Sequence, residues 1–192
     1  MTDEDYFKVY KVKPCLEGLS REETTDELSR MLESLVLYRR NAWACWAAEV
    51  KLPPDEKRVD YVDFCPHPSI SCCSVGAVER GKFTFYEVKS CIADLKSGHG
   101  TNFVGDINWL VCPIEMYEEM RQKQIHVSGC GVLAFGTRKN GSRGFVKLLE
   151  FSAGGDYSYR KHSAAELLYA MTRAGIRQGR TQSELQLRGD EE

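Results

Sequence analysis

The sequence predicts a single α/β domain. At 192 residues the chain is long enough for one domain with a substantial core. Residues 83–89 alternate aromatic, β-branched and charged side chains, which is typical of a half-buried strand. Apolar residues after Ser20 recur instead at helical spacing. Strands and helices in one short chain favour a sheet with helices packed on it, with an N-terminal arm at 1–19 and a flexible tail at 178–192.

The N-terminal half is predicted to be mostly helical. Residues 6–13 alternate loosely, as in a short strand or an ordered arm, and Ser20 with Glu23 has the spacing of a capping box. The helical pattern that follows continues to Glu49 and stops at the two prolines after residue 52. A kink or break at 39–41 would divide it into two helices.

Later segments predict the sheet. Residues 58–64, 107–112, 129–135 and 144–151 are strand-like, residues 113–124 and 163–175 are helical, and 138–143 form a basic turn. The eight cysteines are interpreted as free thiols that pack in the core of a reduced, cytoplasmic protein. No apolar run reaches the length of a membrane span, and the start lacks the features of a signal peptide.

The charge is unevenly distributed along the chain. The net charge is −2, but residues 1–34 carry nine acids and five bases, whereas residues 136–180 carry nine bases and three acids. A basic C-terminal half suits contact with a phosphate backbone, and a solvated charged surface is the alternative.

Acidic and basic side chains fall on the predicted strands in a definite pattern. Glu87 and Lys89 share one strand face with Phe83 and Phe85, because side chains alternate along a strand. Asp60 lies on the preceding strand, with Asp63 as the alternative acid on its other face. The alternative without a functional role is that Glu87 and Lys89 form an exposed ion pair, which contributes little to stability.

The order Asp60, then Glu87-Val88-Lys89-Ser90, then Gly105-Asp106-x-Asn108 before an aromatic-aliphatic strand resembles the PD-(D/E)XK nuclease superfamily. Within it, the pattern is most similar to the MmcB-like group associated with DNA repair and to related phage proteins. The resemblance spans residues 42–135. It implies a restriction-endonuclease-like core: a central mixed sheet of four to five strands flanked by helices.

The resemblance also implies a metal-dependent active site. Asp60, Glu87 and the Val88 carbonyl would hold Mg²⁺ or Mn²⁺, and Glu49, predicted on the first helix, would reach the same ion directly or through water. Lys89 would orient the attacking water or stabilise developing charge. Further residues would contact nucleic acid, most simply DNA; these are Lys96, His99, Asn102, Arg138 and Lys139.

Two other interpretations stay open. The chain could be a DNA-binding or assembly module that keeps the fold without activity, because a fold does not fix a function. It could also be an interaction protein that binds zinc through residues 65–73, although their spacing does not match paired structural zinc ligands. The sequence leaves the oligomeric state open, and a homodimer is compatible with it.

Overall fold

A computed structural model gives the structure of the protein and describes residues 1–38, 44–52, 57–67, 74–97, 103–149 and 160–175. The helices are α1 (Asp3–Tyr10), α2 (Arg21–Leu32), α3 (Val75–Glu79), α4 (Ile92–Lys96), α5 (Ile114–Gln122) and α6 (164–175). The strands are β1 (Val12–Lys13), β2 (Cys45–Leu52), β3 (Lys57–Cys65), β4 (Lys82–Val88), β5 (Ile107–Pro113), β6 (Gly131–Arg138) and β7 (Arg143–Leu149). None of the helices in those ranges is long and apolar enough to cross a membrane.

The described strands form one mixed sheet in the order β1-β6-β5-β4-β3-β2, with β7 paired to β6. β2, β3 and β4 form an antiparallel meander, and β4, β5 and β6 run parallel. The predicted mixed sheet flanked by helices is therefore confirmed, but the sheet has seven strands rather than four to five. β2 is the strand that the sequence patterns missed, and β1 covers only the last two residues of the segment 6–13, for which a short strand or an arm was predicted.

Residues 45–52 are a strand, so the prediction that helix continues to Glu49 is wrong. The helical segment ends as α2 followed by a π-helical turn, Glu33–Leu37. The alanines near residue 47 favour helix locally, but pairing with β3 buries Val50 and Leu52 and decides the conformation. The predicted break at 39–41 lies outside the described residues.

The N-terminal arm is also more regular than predicted. Residues 3–10 are helical because Thr2 and Asp5 form a reciprocal capping box, and the helix ends at Lys11 in the left-handed conformation. The hydroxyl of Tyr10 donates to the Glu118 carboxylate and accepts from Arg121, which fixes α1 against α5. The arm is thus attached to the core through β1 and this cluster.

Both faces of the sheet are covered. α2 packs on one face, against Tyr61, Tyr86 and Val111. On the other face α6 packs against β2 to β4, and α1 and α5 pack against β5 and β6. The predicted alternation of β4 is confirmed, because Phe83 and Phe85 lie in the α6 cluster while Tyr86 and Val88 lie in the α2 cluster.

Candidate active site

Three of the predicted acids lie in one row across neighbouring strands. The β2–β3 register pairs Ala48 with Tyr61 and Val50 with Val59, so Glu49 stands opposite Asp60. The β3–β4 pairing ends with Tyr61 opposite Tyr86, so Asp60 and Glu87 are the residues that come directly beyond its last pair on the two strands. Since neighbouring strands are about 4.8 Å apart, the three backbone positions span about 10 Å.

The Asp60 carboxylate binds the backbone of the strand that carries Glu87. Its Oδ2 accepts a hydrogen bond of 2.8 Å from Val88 N, the amide between Glu87 and Lys89. The N–H and C=O of a strand residue point toward the same neighbour. The Val88 carbonyl, predicted as a metal ligand, is therefore also directed toward β3. This contact joins the two parts of the predicted motif.

Glu87 and Lys89 are buried. Glu87 is 0% exposed and Lys89 is 6% exposed, and Lys89 N donates to Val111 O at 2.9 Å. Burial raises the pKa of Cys130 to about 12, and the nearby Glu87 carboxylate adds to that rise. The alternative interpretation of an exposed surface pair is therefore wrong. Keeping an ionisable side chain this far from water is costly, which is a common feature of functional sites.

Glu49 lies on β2 rather than on a helix, with a backbone φ of +55°. That left-handed value is unusual for a residue with a side chain and interrupts the ladder at the Asp60 position. The Glu49 carboxylate lies 2.8 Å from Arg58 Nη1. Partial burial raises the pKa of Glu49; Arg58 opposes the rise and Asp60 adds to it, so Glu49 and Asp60 interact electrostatically.

We expect Glu49→Gly to be more stable than Glu49→Ala by about 1 kcal/mol, because both lose the carboxylate but only alanine keeps the left-handed strain. Urea unfolding midpoints of the two variants measure the difference. Lys51→Gly and Lys51→Ala are the matched pair on the same strand, where alanine should be the more stable. An alanine variant at least as stable as the glycine variant at residue 49 would contradict the assignment of strain.

Asp63, the alternative acid, lies on the opposite face. It is 1% exposed and pairs with Thr84, which shares its face with Tyr86 and α2. Glu87 belongs to the Phe83 and Phe85 face. Asp63 is therefore separated from Glu87 by the sheet, and Asp60 is the acid that meets the Glu87-Val88-Lys89 strand.

The predicted nucleic-acid contacts are less concentrated. Lys96 is exposed at the end of α4, and Arg138 and Lys139 are exposed where β6 turns into β7. These positions follow the carboxyl ends of the parallel strands, so they lie at the same end of those strands as Lys89. Arg138 also donates to Phe145 O at 3.2 Å within its own hairpin. His99 and Asn102 lie outside the described residues.

The Gly105-Asp106-x-Asn108 motif builds a turn. Gly105 N donates to Asn108 Oδ1 at 2.9 Å, and the Asn108 amide donates back to Gly105 O at 3.2 Å. A side chain at 105 would meet the Phe85 ring at 2.5 Å, so glycine is required there. Asp106 Oδ2 accepts from Phe83 N at 2.9 Å. This part of the resemblance is explained by local structure, far along β4 from Glu87.

Carboxylates and a backbone carbonyl are the hard oxygen donors that Mg²⁺ prefers, so the residues of the acidic row suit that ion chemically. Among the residues that the structure describes, however, no three His, Cys, Asp or Glu side chains are grouped closely enough to hold a metal. The contacts explain why: Glu49 pairs with Arg58, and Asp60 binds Val88 N. An ion would have to compete for at least one of these carboxylates.

The cysteines only partly match the prediction of core thiols. Cys112 and Cys130 are buried, but Cys45, at the start of β2, is exposed. Cys65 is half-buried. His67 is also half-buried, and its backbone N–H donates to Ala77 O at 3.0 Å. Cys72 and Cys73 lie outside the described residues.

Pairing with Lys51 or Arg58 is the structural alternative to metal binding that the sequence allows for Glu49, and the structure shows the Arg58 pair. The sequence patterns missed the ring contacts of Tyr38, Trp46 and Tyr61 on the α2 side of the sheet. Comparisons with protein-family models, with curated proteins and with solved structures find no match to this chain.

Proposed function

We propose that the chain is a metal-dependent nuclease of PD-(D/E)XK type that hydrolyses phosphodiester bonds in DNA, in phage DNA metabolism or repair. The observation that carries the proposal is the cross-strand row of Glu49, Asp60 and Glu87, in which Asp60 binds the Val88 amide. The helix-flanked mixed sheet supports a restriction-endonuclease-like core.

Each residue has a distinct role in this proposal. Asp60, Glu87 and the Val88 carbonyl would hold Mg²⁺ or Mn²⁺, with Glu49 joining them after it leaves Arg58. Such an ion, when bound, lowers the pKa of water and polarises the phosphate. Lys89, held by its strand beside Glu87, would orient the attacking water and stabilise the negative charge that develops on the phosphate oxygens.

We expect Lys89→Ala to lower the rate of Mg²⁺- or Mn²⁺-dependent cleavage of plasmid and single-stranded DNA by about 100-fold, because it removes a preorganised positive charge. Initial rates on both substrates measure this. Lys89→Met, which keeps the buried aliphatic volume, should lose the same activity. Lys82→Ala, at the exposed start of the same strand, is the control that should cleave normally. Cleavage by the two Lys89 variants at the wild-type rate would remove the enzyme proposal.

A second candidate is an inactive module that binds DNA with the same fold. The complete burial of Glu87 and the Arg58–Glu49 pair favour it, because both oppose metal binding. Binding of DNA by the wild-type protein with no cleavage in either metal would select this candidate.

A further inference from the structure

A line of three aromatic rings leads from the surface to Tyr61 of β3, on the sheet face that α2 covers and opposite to the face of Glu87. Tyr38 and Trp46 meet edge to face with ring centroids 5.4 Å apart, and Trp46 lies 5.9 Å from Tyr61. The Tyr61 hydroxyl donates to Glu33 Oε1 at 2.8 Å, which anchors the inner ring to the π-helical turn that ends beside Tyr38. Tyr61 directly follows Asp60 in β3.

Exposure increases along this line. Tyr61 is 7% exposed and Trp46 is half-buried, whereas Tyr38 is 71% exposed. In the part of the chain that the structure describes, Tyr38 and Tyr169 are the largely exposed aromatic residues. Tyr38 differs from an isolated surface ring because Trp46 and Tyr61 fix its position, which lowers the entropy lost when a ligand binds on it.

β2 runs from the aromatic rings to a group of basic side chains. In the described sheet β2 is an edge strand, and it carries Trp46 near one end and Lys51 near the other. Lys51, Lys57 and Arg58 are all exposed at the far end of the β2–β3 pair. Glu49 lies three residues from Trp46, about 10 Å along the strand, which is about the length of three stacked nucleotides.

We infer that the β2 edge binds an unpaired nucleic-acid strand, with a base stacked on Tyr38 and phosphates beside Lys51, Lys57 and Arg58. The inference rests on the proposed function and specifies its substrate class. Stacking on an exposed ring needs a free base face, which a single strand offers and the interior of a duplex does not. The basic side chains at one end of β2 suit contact with phosphates, and the aromatic ring at the other end suits stacking with a nucleobase.

The test is binding of a labelled oligothymidylate and of a duplex of equal length, in chelator so that no cleavage occurs, followed by fluorescence anisotropy. We expect Tyr38→Ala to weaken single-strand binding by about 10-fold and to leave duplex binding unchanged, because stacking on one ring contributes about that much affinity. Tyr38→Phe should bind as the wild type does. Tyr169→Ala, at a ring 65% exposed on α6, is the matched control and should have no effect.

Equal single-strand affinities for the Tyr38→Ala, Tyr169→Ala and wild-type proteins would overturn the inference, as would an equal loss for duplex or no binding by the wild type. The result is separable from the nuclease proposal. Tyr38-dependent binding without metal-dependent cleavage would keep the surface and remove the enzyme, whereas cleavage with unchanged Tyr38→Ala binding would do the reverse.

Discussion

Glu87→Gln should lower metal-dependent cleavage by about 1,000-fold. The substitution keeps the size and shape of a fully buried side chain and removes its charge. If Glu87 holds the ion, the variant loses several kcal/mol of charge stabilisation in the transition state, and about 4 kcal/mol corresponds to a factor of 1,000. Initial cleavage rates in Mg²⁺ and Mn²⁺ provide the measurement.

The same substitution should abolish stabilisation by metal, a result that does not depend on activity. An ion at 100 times its dissociation constant adds about 2.7 kcal/mol to folding. For a domain of this size that raises the unfolding temperature by about 5 to 10 °C. We expect Mn²⁺ to produce this rise in the wild type but not in Glu87→Gln.

Glu22→Gln, at an exposed position on α2, is the control and should keep both the cleavage rate and the Mn²⁺ response. Circular dichroism without metal checks that Glu87→Gln folds. A folded Glu87→Gln protein that still gains the wild-type rise in unfolding temperature would exclude Glu87 as a metal ligand.

The strands that hold Asp60 and Glu87 could be predicted because their patterns are strong. Residues 83–89 combine aromatic and β-branched side chains, and their side chains divide between the two faces as predicted, although both faces are buried rather than one. The relative position of Asp60 and Glu87 follows from register, which the sequence does not specify directly.

Glu49 could not be placed correctly from the sequence. Residues 44–52 contain three alanines, and local propensity favours helix there, whereas the pairing with β3 that makes them a strand depends on distant residues. The left-handed conformation of Glu49 is equally hidden, because glutamate has no local preference for positive φ. Glu49 nevertheless lies opposite Asp60, although a strand carries it and not the predicted helix.

Arg160 illustrates a contact that no sequence pattern indicates. It precedes α6 and reaches back about eighty positions, where its guanidinium donates to Gly81 O at 2.9 Å and to Glu79 O at 2.5 Å. It also lies 3.4 Å from Asp106 Oδ2 and 5.4 Å from the centre of the Phe83 ring. Arg160 thereby connects α6 to the starts of both β4 and β5.

Arg160→Ala should lower the free energy of unfolding by about 3 kcal/mol. The side chain is only 18% exposed, so its removal leaves two carbonyls and the Asp106 carboxylate without a well-shielded cationic donor. Hydrogen bonds to charged groups contribute about 1.5 to 3 kcal/mol each, and partial exposure reduces their sum. The unfolding temperature should fall by about 6 to 12 °C, measured by thermal denaturation.

Arg160→Lys should recover only part of the loss, because an ammonium group cannot reproduce the planar arrangement that reaches both carbonyls and Asp106. Arg173→Ala is the control: Arg173 lies over the exposed Tyr169 ring on α6, and its loss should change stability by less than about 0.5 kcal/mol. A similar loss of unfolding free energy for Arg160→Ala and Arg173→Ala would mean that the Arg160 contacts add nothing to folding. At a temperature where it is folded, Arg160→Ala should cleave DNA as the wild type does, because Arg160 contacts the start of β4, whereas Glu87 and Lys89 lie at its opposite end.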